Sequence, residues 1–374
     1  MIYLDNAATG GFKPSAVTDA VNTAIKYLSA NPGRSGHRLS VAGATCVEDC
    51  RRALSETFFS PFDKIIFTKN CTEALNLAIL GTAQKGGNVI TTVFEHNSIL
   101  RPLYHLQKRG DITLTIVSPE KNKCLSQSIK EKILPNTYMV CATAVSNVTG
   151  EELPIEKIGK VCKANGLIFL LDGAQGAGHV QIDMQKQHVN LLALAGHKGL
   201  YGIMGVGALL IDDKTQVRPL TFGGTGVESF LEDQPECYPE RLEAGTLNLP
   251  GICALKEGIN FIKSNVASFG DHLFSASKII IDRLKKLPKV TVYSRPNRSG
   301  IISFEIDKIS STDVADTLNS DFDIAVRGGF HCAPLMHKFL HTDNQGLTRV
   351  SLAVQNSSRE REFFINAIER ICNR

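Results

Sequence analysis

Two apolar runs, each ending abruptly in polar residues, constrain the fold of this chain most. The first runs from Gly166 to Leu171 and stops at Asp172, and the second runs from Leu191 to Ala195 and leads to Lys198. Apolar runs of this kind are typical of parallel strands that are covered on both faces. Because ligands bind outside the carboxyl ends of such strands, we expect Asp172 and Lys198 to face one binding crevice.

These two side chains together suit the chemistry of pyridoxal 5'-phosphate. That cofactor needs a lysine to hold its aldehyde covalently and an acid to keep its pyridine nitrogen protonated. An apolar setting lowers the pKa of a lysine, so the neutral amine becomes a nucleophile. Taken singly, Asp172 would more simply be a helix cap and Lys198 a lysine on an exposed turn. The pair, rather than either residue, indicates the cofactor.

Helical and strand patterns alternate along the first two thirds of the chain. Helices are predicted over 14–30, 40–58, 72–82 and 98–109, and strands over 64–67, 88–92, 112–117, 138–143, 166–171, 191–195 and 205–211. Such alternation predicts an α/β fold with a mostly parallel, seven-stranded sheet flanked by helices.

The length of 374 residues exceeds that of one ordinary core, so two domains are expected. We predict a large α/β domain over 14–252 and a small α+β domain formed by 1–13 and 253–374. A long helix over about 251–285 is expected to connect them.

Composition favours a soluble globular protein, with 43% hydrophobic and 21% charged residues. The net charge of +4 is dispersed, so neither nucleic acid nor a membrane is an expected partner. There is no apolar run of roughly 18 residues and no signal-sequence pattern, so a cytoplasmic location is expected. The ten cysteines form no CxxC pair, which predicts reduced thiols and neither disulfides nor a bound metal.

Eight motifs then occur in a recognisable order. They are NPGRSGHRLS from Asn31, CTEALNLAI from Cys71, FEHNSIL from Phe94, SNVTGEELP from Ser146, DGAQ from Asp172, GHKGLYG from Gly196, RLEAGTLN from Arg241 and RGGFHCAP from Arg327. From Tyr3 to Leu352 the chain resembles the cysteine desulfurase and selenocysteine lyase family. That family is class V aminotransferase-like, and its members have fold type I of the pyridoxal phosphate enzymes. The chain resembles the family's second group, and the extra Gly199 after the lysine places it in a divergent branch.

The resemblance assigns roles around the cofactor ring. It implies that Lys198 binds the aldehyde, that Asp172 holds the pyridine nitrogen, and that His96 stacks on the ring and relays protons. Asn147 and Gln175 would hydrogen-bond the phenolic oxygen. On residue type alone, His96 could equally be a surface histidine, and Asn147 and Gln175 could be turn residues.

At the phosphate end the resemblance implies the Cys71 backbone, Thr72 and His197. Thr246 would reach the phosphate of a neighbouring subunit, which implies a homodimer. Many relatives carry Ser or Thr where this chain has Ala195, so one phosphate hydrogen bond is missing or supplied elsewhere. Without the family, Thr72 could simply be an ordinary helix cap.

Cys332 determines the expected reaction, because a thiolate there could attack the sulfur of a bound cysteine. The resemblance implies that L-cysteine becomes L-alanine while Cys332 takes the sulfur as a persulfide for an unidentified acceptor protein. Arg349 would hold the substrate carboxylate, and Arg327 would be a second active-site arginine, although most arginines make surface salt bridges. Phe330 replaces a family histidine, which leaves the preference between sulfur and selenium open.

Three alternatives remain at this point. The chain could be a lyase acting on L-selenocysteine, or a class V aminotransferase or β-lyase that does not need Cys332. It could also be a catalytically silent scaffold for a sulfur-transfer partner. On residue type alone, Cys332 would more simply be a small buried core residue, as most cysteines are.

Overall fold

A computed structural model of the protein describes residues 1–263 and 265–373. The described helices are α1 Ser15–Tyr27, α2 Arg38–Phe58, α3 Cys71–Gly81, α4 Asn97–Lys108, α5 Leu125–Glu131, α6 Ile155–Ala164, α7 Leu249–Lys263, α8 Val266–Leu284, α9 Ser311–Phe322, α10 Pro334–Leu340 and α11 Ser358–Cys372. The described strands are β1 Ile2–Tyr3, β2 Ile65–Thr68, β3 Gly87–Thr92, β4 Ile112–Val117, β5 Thr137–Thr143, β6 Ile168–Asp172, β7 Leu191–Ala195, β8 Gly207–Ile211, β9 Val290–Val292, β10 Ile301–Ile306, β11 Ile324–Ala325 and β12 Thr348–Ser351.

Seven strands form the central sheet in the order β2-β8-β7-β6-β5-β3-β4, which confirms the predicted sheet. All neighbours pair in parallel except β8, which is antiparallel to both β2 and β7. Strands β3, β5 and β7 are buried along their whole length, as apolar strands with two covered faces should be. The β7–β8 connection contains no helix, which suits an antiparallel return better than a parallel crossover.

Four of the parallel strands, β3, β5, β6 and β7, bring the site residues that follow their carboxyl ends to one edge of the sheet. Asp172 is the last residue of β6, and Lys198 follows the end of β7 by three positions. His96 comes shortly after β3, and Asn147 comes shortly after β5. Residues that are far apart in the sequence therefore meet at this edge.

A smaller layer is built on a three-stranded antiparallel sheet, β12-β10-β9, and a two-stranded parallel sheet, β1-β11. Its hydrophobic cluster includes Leu4, Leu273, Phe304 and Phe364, apart from the two clusters around the large sheet. Leu4 connects the amino-terminal segment with this layer. The boundaries 14–252 and 1–13 plus 253–374 stay a prediction.

The single connecting helix predicted over 251–285 is wrong. Two helices, α7 and α8, occupy this stretch. Asn265 precedes α8 with non-helical backbone angles, and its Nδ2 donates a hydrogen bond to the Phe261 carbonyl at 3.0 Å. Asparagine side chains that bond to nearby backbone in this way compete with helix propagation.

The expectation that every thiol is reduced is also wrong for one pair. Cys46 on α2 and Cys253 on α7 form a disulfide, with their Cα atoms 6.1 Å apart. The two helices pack against each other, which brings together cysteines separated by 207 positions. The other eight cysteines in the described residues are free.

No helix among residues 1–263 and 265–373 combines the length and apolar character that crossing a membrane would require.

A buried ion pair anchors α2 to the segment that carries Thr246. Arg51 Nη2 lies 2.6 Å from Glu243 Oε2, and the two side chains are 6% and 7% exposed. Arg51 also donates to the Ile65 carbonyl, and Glu243 Oε1 accepts from the Phe67 N–H at 2.6 Å. The pair therefore holds β2, α2 and the Thr246 segment together.

Replacing Arg51 by methionine is expected to lower the free energy of unfolding by about 3 kcal/mol, because Glu243 would stay buried without its partner. Urea denaturation measures the change. The adjacent Arg52 is exposed, so Arg52→Met should change the free energy of unfolding by no more than about 0.5 kcal/mol. Equal effects of the two substitutions would contradict a structural role for the pair.

Candidate active site

A cavity of about 90 Å³ lies at the carboxyl edge of the central sheet. It is lined by Asn70, Cys71, Thr72, Leu75, His96, Ser98, Thr143, Asn147, Asp172, Ala174, Gln175, Ala195, His197 and Lys198. Eight of the nine cofactor residues named from the sequence are in this set. Only Thr246 lies outside it.

Lys198 and Asp172 face this cavity from the ends of neighbouring strands. Burial lowers the pKa of Lys198, while the nearby Asp172 charge acts in the opposite direction. Burial raises the pKa of Asp172, and the hydrogen bond from the Ala174 N–H at 2.8 Å opposes that rise. Cys71 Sγ also donates to Asp172 Oδ1, at 3.5 Å. The site thus combines an amine whose pKa is lowered toward the neutral form with an acid whose Oδ1 accepts from two donors.

His96 is the N-cap of α4, and its Nδ1 accepts from the Ser98 N–H at 3.0 Å. Burial is the main cause that lowers the pKa of His96 to about 4, and the positive charges of Lys198 and Arg327 add to it. The ring is therefore neutral near pH 7, with its proton on Nε2 because Nδ1 accepts. A neutral ring with a donor on its outer nitrogen can both cover a planar ligand and pass a proton.

The other end of the cavity is suited to an anion. Helix α3 begins at Cys71, and the first backbone N–H groups of a helix have no carbonyl partner within it. Thr72 Oγ1 lies 2.8 Å from Ser98 Oγ, so two hydroxyls meet there. His197 faces the same cavity, with its Nδ1 3.0 Å from Thr9 Oγ1, and burial lowers its pKa to about 4.

Ser98 is the main residue that sequence reasoning missed. Ala195 lines the cavity with a methyl group, as its sequence implied, and supplies no hydroxyl. Ser98 supplies one from α4 and bonds both Thr72 and His96. Its place two residues after His96, in the FEHNSIL motif, was the available signal.

Asn147 and Gln175 both reach the cavity and also join separate segments. Asn147 Nδ2 donates to the His331 carbonyl at 2.7 Å, and Gln175 Nε2 donates to the Ala7 carbonyl at 2.8 Å. Asn147 Oδ1 is buried and, among the described residues, has no hydrogen-bond partner. An unpaired buried polar atom is costly, so it indicates a ligand that completes the site.

Arg349 is almost fully buried, with 1% of its surface exposed. Its Nη2 lies 2.8 Å from Asp5 Oδ1, and its Nη1 donates to the Asn147 carbonyl at 3.1 Å. Its Nε is buried without a partner in the described part of the chain. Arg327 is joined to it through two backbone hydrogen bonds, from the Arg327 N–H at 3.2 Å and from the Arg349 N–H at 2.7 Å. A guanidinium fixed in this way can present its free N–H groups to a carboxylate.

Cys332 is exposed, so it is not a core cysteine. It lines a second cavity, of about 420 Å³, which shares Thr72, His96 and Ser98 with the first cavity. The backbone of Cys332 is left-handed, with a φ of 57°, and its carbonyl accepts from the Asn97 N–H at 2.7 Å. The thiol therefore stands beside the cavity that holds Lys198 and Asp172.

Thr246 is exposed and lines neither of these cavities, and Asn31 Nδ2 donates to its hydroxyl at 3.4 Å. Within one chain it cannot contribute to the site around Lys198.

The sheet, the acid at the end of β6 and the lysine after β7 define a pyridoxal phosphate enzyme of fold type I. The chain belongs to the class V aminotransferase family, because the sequence profile described as aminotransferase class-V matches residues 2–364. That family depends on pyridoxal phosphate.

Several proteins similar to this chain are cysteine desulfurases by name. A probable cysteine desulfurase of Pyrococcus abyssi is 33% identical, over 99% of this chain and 94% of that protein. The apo structure of a cysteine desulfurase from Thermococcus onnurineus NA1 superposes with a TM-score of 0.91 at 32% identity, covering 100% of this chain and 94% of the other. The S-sulfonic acid form of a cysteine desulfurase from Escherichia coli gives a TM-score of 0.90 at 25% identity, covering 99% and 94%.

Proposed function

We propose that this protein is a pyridoxal phosphate-dependent cysteine desulfurase, which converts L-cysteine to L-alanine and takes the sulfur on Cys332 as a persulfide. The observation that carries the proposal is the exposed Cys332 thiol beside the cavity of Lys198 and Asp172. A transaminase needs no thiol at this place. The names of the similar proteins support the same reaction.

The residues around the first cavity fit the cofactor. The amine of Lys198 would hold its aldehyde, Asp172 would keep its pyridine nitrogen protonated, and His96 would cover its ring. Thr72, Ser98 and the start of α3 would hold the phosphate, and the unpaired Asn147 Oδ1 would complete the contacts. When bound, the cofactor supplies an electron sink for the amino acid's α-carbon.

The chain's own groups then account for the remaining steps. Arg349 binds the substrate carboxylate, with Arg327 adding positive charge beside it. Lys198 takes the α-proton once its amine is free. The Cys332 thiolate attacks the substrate sulfur, so a sulfur–sulfur bond forms while the carbon–sulfur bond breaks, and the electron pair of that bond stays with the carbon.

We also propose a homodimer, in which Thr246 of one subunit reaches the phosphate site of the other. Exposed apolar side chains on the preceding segment support it: Phe222 is 69% exposed, Phe230 is 104% exposed and Leu231 is 50% exposed. Apolar groups of this size clustered along one segment are typical of protein interfaces.

L-selenocysteine is the second candidate substrate, because Phe330 stands where the family has a histidine. Phe330 is 49% exposed and its ring lies 5.5 Å from the His337 ring, so an apolar ring takes the place of that family histidine two residues before Cys332.

The purified wild-type protein tests the proposal directly. We expect visible absorbance from the bound cofactor, and equal amounts of alanine and sulfide from L-cysteine when a thiol reductant is present. Activity should not depend on an added keto acid. A strict keto-acid requirement would show a transaminase instead, and turnover of L-selenocysteine alone would show the lyase.

A further inference from the structure

A groove leads away from Cys332 between helices α3 and α4. The groove is the second cavity described above, of about 420 Å³, which Cys332 lines. The lining residues are Thr72, Asn76, Leu80, His96, Asn97, Ser98, Arg101, Pro102, His105 and Cys332. Asn76 and Leu80 form the uncharged α3 side, and Arg101 and His105 form the α4 side. We call this surface, together with Lys108, the basic groove.

The basic groove carries positive charge that the protein does not neutralise. Arg101, His105 and Lys108 follow one another at spacings of four and three, so they lie along one exposed side of α4. Within the described part of the chain, neither Arg101 nor Lys108 has an ion-pair partner, and α4 contains no acidic residue.

The nearest acidic groups on these elements are already paired. Glu73 on α3 lies 3.7 Å from Lys69, and it lines another cavity. Asp111, after the end of α4, lies 2.8 Å from Arg109. The lining of the basic groove therefore contains no carboxylate.

The groove is longer than the amino-acid substrate requires. The substrate carboxylate is accounted for by Arg349, which does not line this groove. From Arg101 to Lys108 the helix rises about 10 Å, which is the length of three or four extended residues. A surface of that length with one sign of charge suits a chain segment of opposite charge.

We propose that the basic groove is the docking site of the sulfur acceptor, and that the acceptor presents a protein segment in which a cysteine is flanked by acidic residues. This inference rests on the proposed function, because it concerns the sulfur held by Cys332. The acceptor thiolate attacks the outer sulfur of the persulfide, so the new sulfur–sulfur bond forms on the acceptor. The bond to Cys332 breaks, Cys332 leaves as a thiolate, and the outer sulfur keeps its proton.

Synthetic peptides with a single cysteine test the transfer. One peptide has glutamates on both sides of the cysteine, the second has glutamines, and the third has lysines. We expect the acidic peptide to take sulfur about tenfold faster than the neutral one at low salt, and the advantage to shrink at high salt. Rates are normalised to the Cys332 persulfide measured by mass spectrometry.

The variant with Arg101→Glu and Lys108→Glu should lose or reverse this preference. A matched control with Lys130→Glu and Lys132→Glu makes the same charge change on the exposed surface near α5. This control should keep the preference for the acidic peptide. Equal rates for the three peptides, or the same loss of preference in the control, would overturn the docking proposal.

A second measurement does not depend on desulfurase activity. Cys332 is treated, without L-cysteine, with an anionic and with a neutral aromatic disulfide, and its labelling is followed by mass spectrometry. For each cysteine we take the ratio of its rate with the anionic reagent to its rate with the neutral one, and the exposed Cys237 serves as the reference. In the wild type this ratio should be higher for Cys332 than for Cys237. In the Arg101→Glu, Lys108→Glu variant the two ratios should be equal. If this preference is present but no persulfide forms, the proposed function is wrong, while the preference of the basic groove for anionic groups is supported. If persulfide forms but both preferences are absent, the groove proposal fails alone.

Discussion

Replacing Lys198 by alanine is expected to remove the visible absorbance of the purified protein and to lower alanine release from L-cysteine by about a thousandfold or more. Lys198 is the amine that faces Asp172 in the cofactor cavity, and burial lowers its pKa toward the nucleophilic form. In the proposed mechanism the same amine is also the base for the α-proton, so its loss is expected to affect both cofactor binding and proton transfer. Absorbance spectra and alanine assays measure the two effects.

Two further variants make this result specific. Lys198→Arg keeps a positive charge, yet it should behave like Lys198→Ala because a guanidinium does not replace the amine as a nucleophile. Lys13 is a matched control, since burial lowers its pKa to about 8 and its Nζ donates to the His197 carbonyl at 3.1 Å. Lys13→Ala should keep the absorbance. If Lys13→Ala lost the band while Lys198→Ala kept it, the roles of the two lysines would be assigned the wrong way round.

Replacing Cys332 by alanine is expected to lower sulfide release from L-cysteine by about a hundredfold or more while leaving the visible absorbance intact. The thiol lines the second cavity and not the one around Lys198, so its loss should remove the proposed sulfur acceptor without removing a proposed cofactor contact. Sulfide release and mass spectrometry of the Cys332 peptide measure the change. Cys332→Ser should give the same result.

Cys237 is the control for this experiment, because it is the other exposed free cysteine in the described residues. Cys237→Ala should keep both persulfide formation and sulfide release. Undiminished turnover of L-cysteine by Cys332→Ala would refute the desulfurase proposal and favour a β-lyase or an L-selenocysteine lyase.

Much of the site could be predicted because it depends on strand ends. The apolar runs before Asp172 and Lys198 are local in the sequence, and the parallel sheet brings their ends together by geometry alone. The family resemblance then named His96, Asn147 and Cys332, and the structure brings these residues to two adjoining cavities.

The parts that were missed depend on long-range packing or on short elements. The pairing of Arg349 with Asp5 joins residues 344 positions apart, and the Cys46–Cys253 pair depends on how α2 packs on α7. Helices α5 and α10 have seven residues each, which is too short for a clear apolar period. The antiparallel direction of β8 is set by the length of the connection, which an apolar run does not reveal.

The hydrogen bonds around the Cys332 loop have one more consequence. Asn147 Nδ2 donates to the His331 carbonyl, and the Asn97 N–H donates to the Cys332 carbonyl. His331 and Cys332 both have left-handed backbones, with φ values of 48° and 57°. The Asn147 carbonyl also accepts from Arg349 Nη1, so Asn147 contacts both the proposed substrate-binding guanidinium and the loop that carries the thiol. The two hydrogen bonds to the His331 and Cys332 carbonyls fix the backbone of the loop on both sides of the thiol, so under the proposed function we expect the sulfur acceptor to approach Cys332.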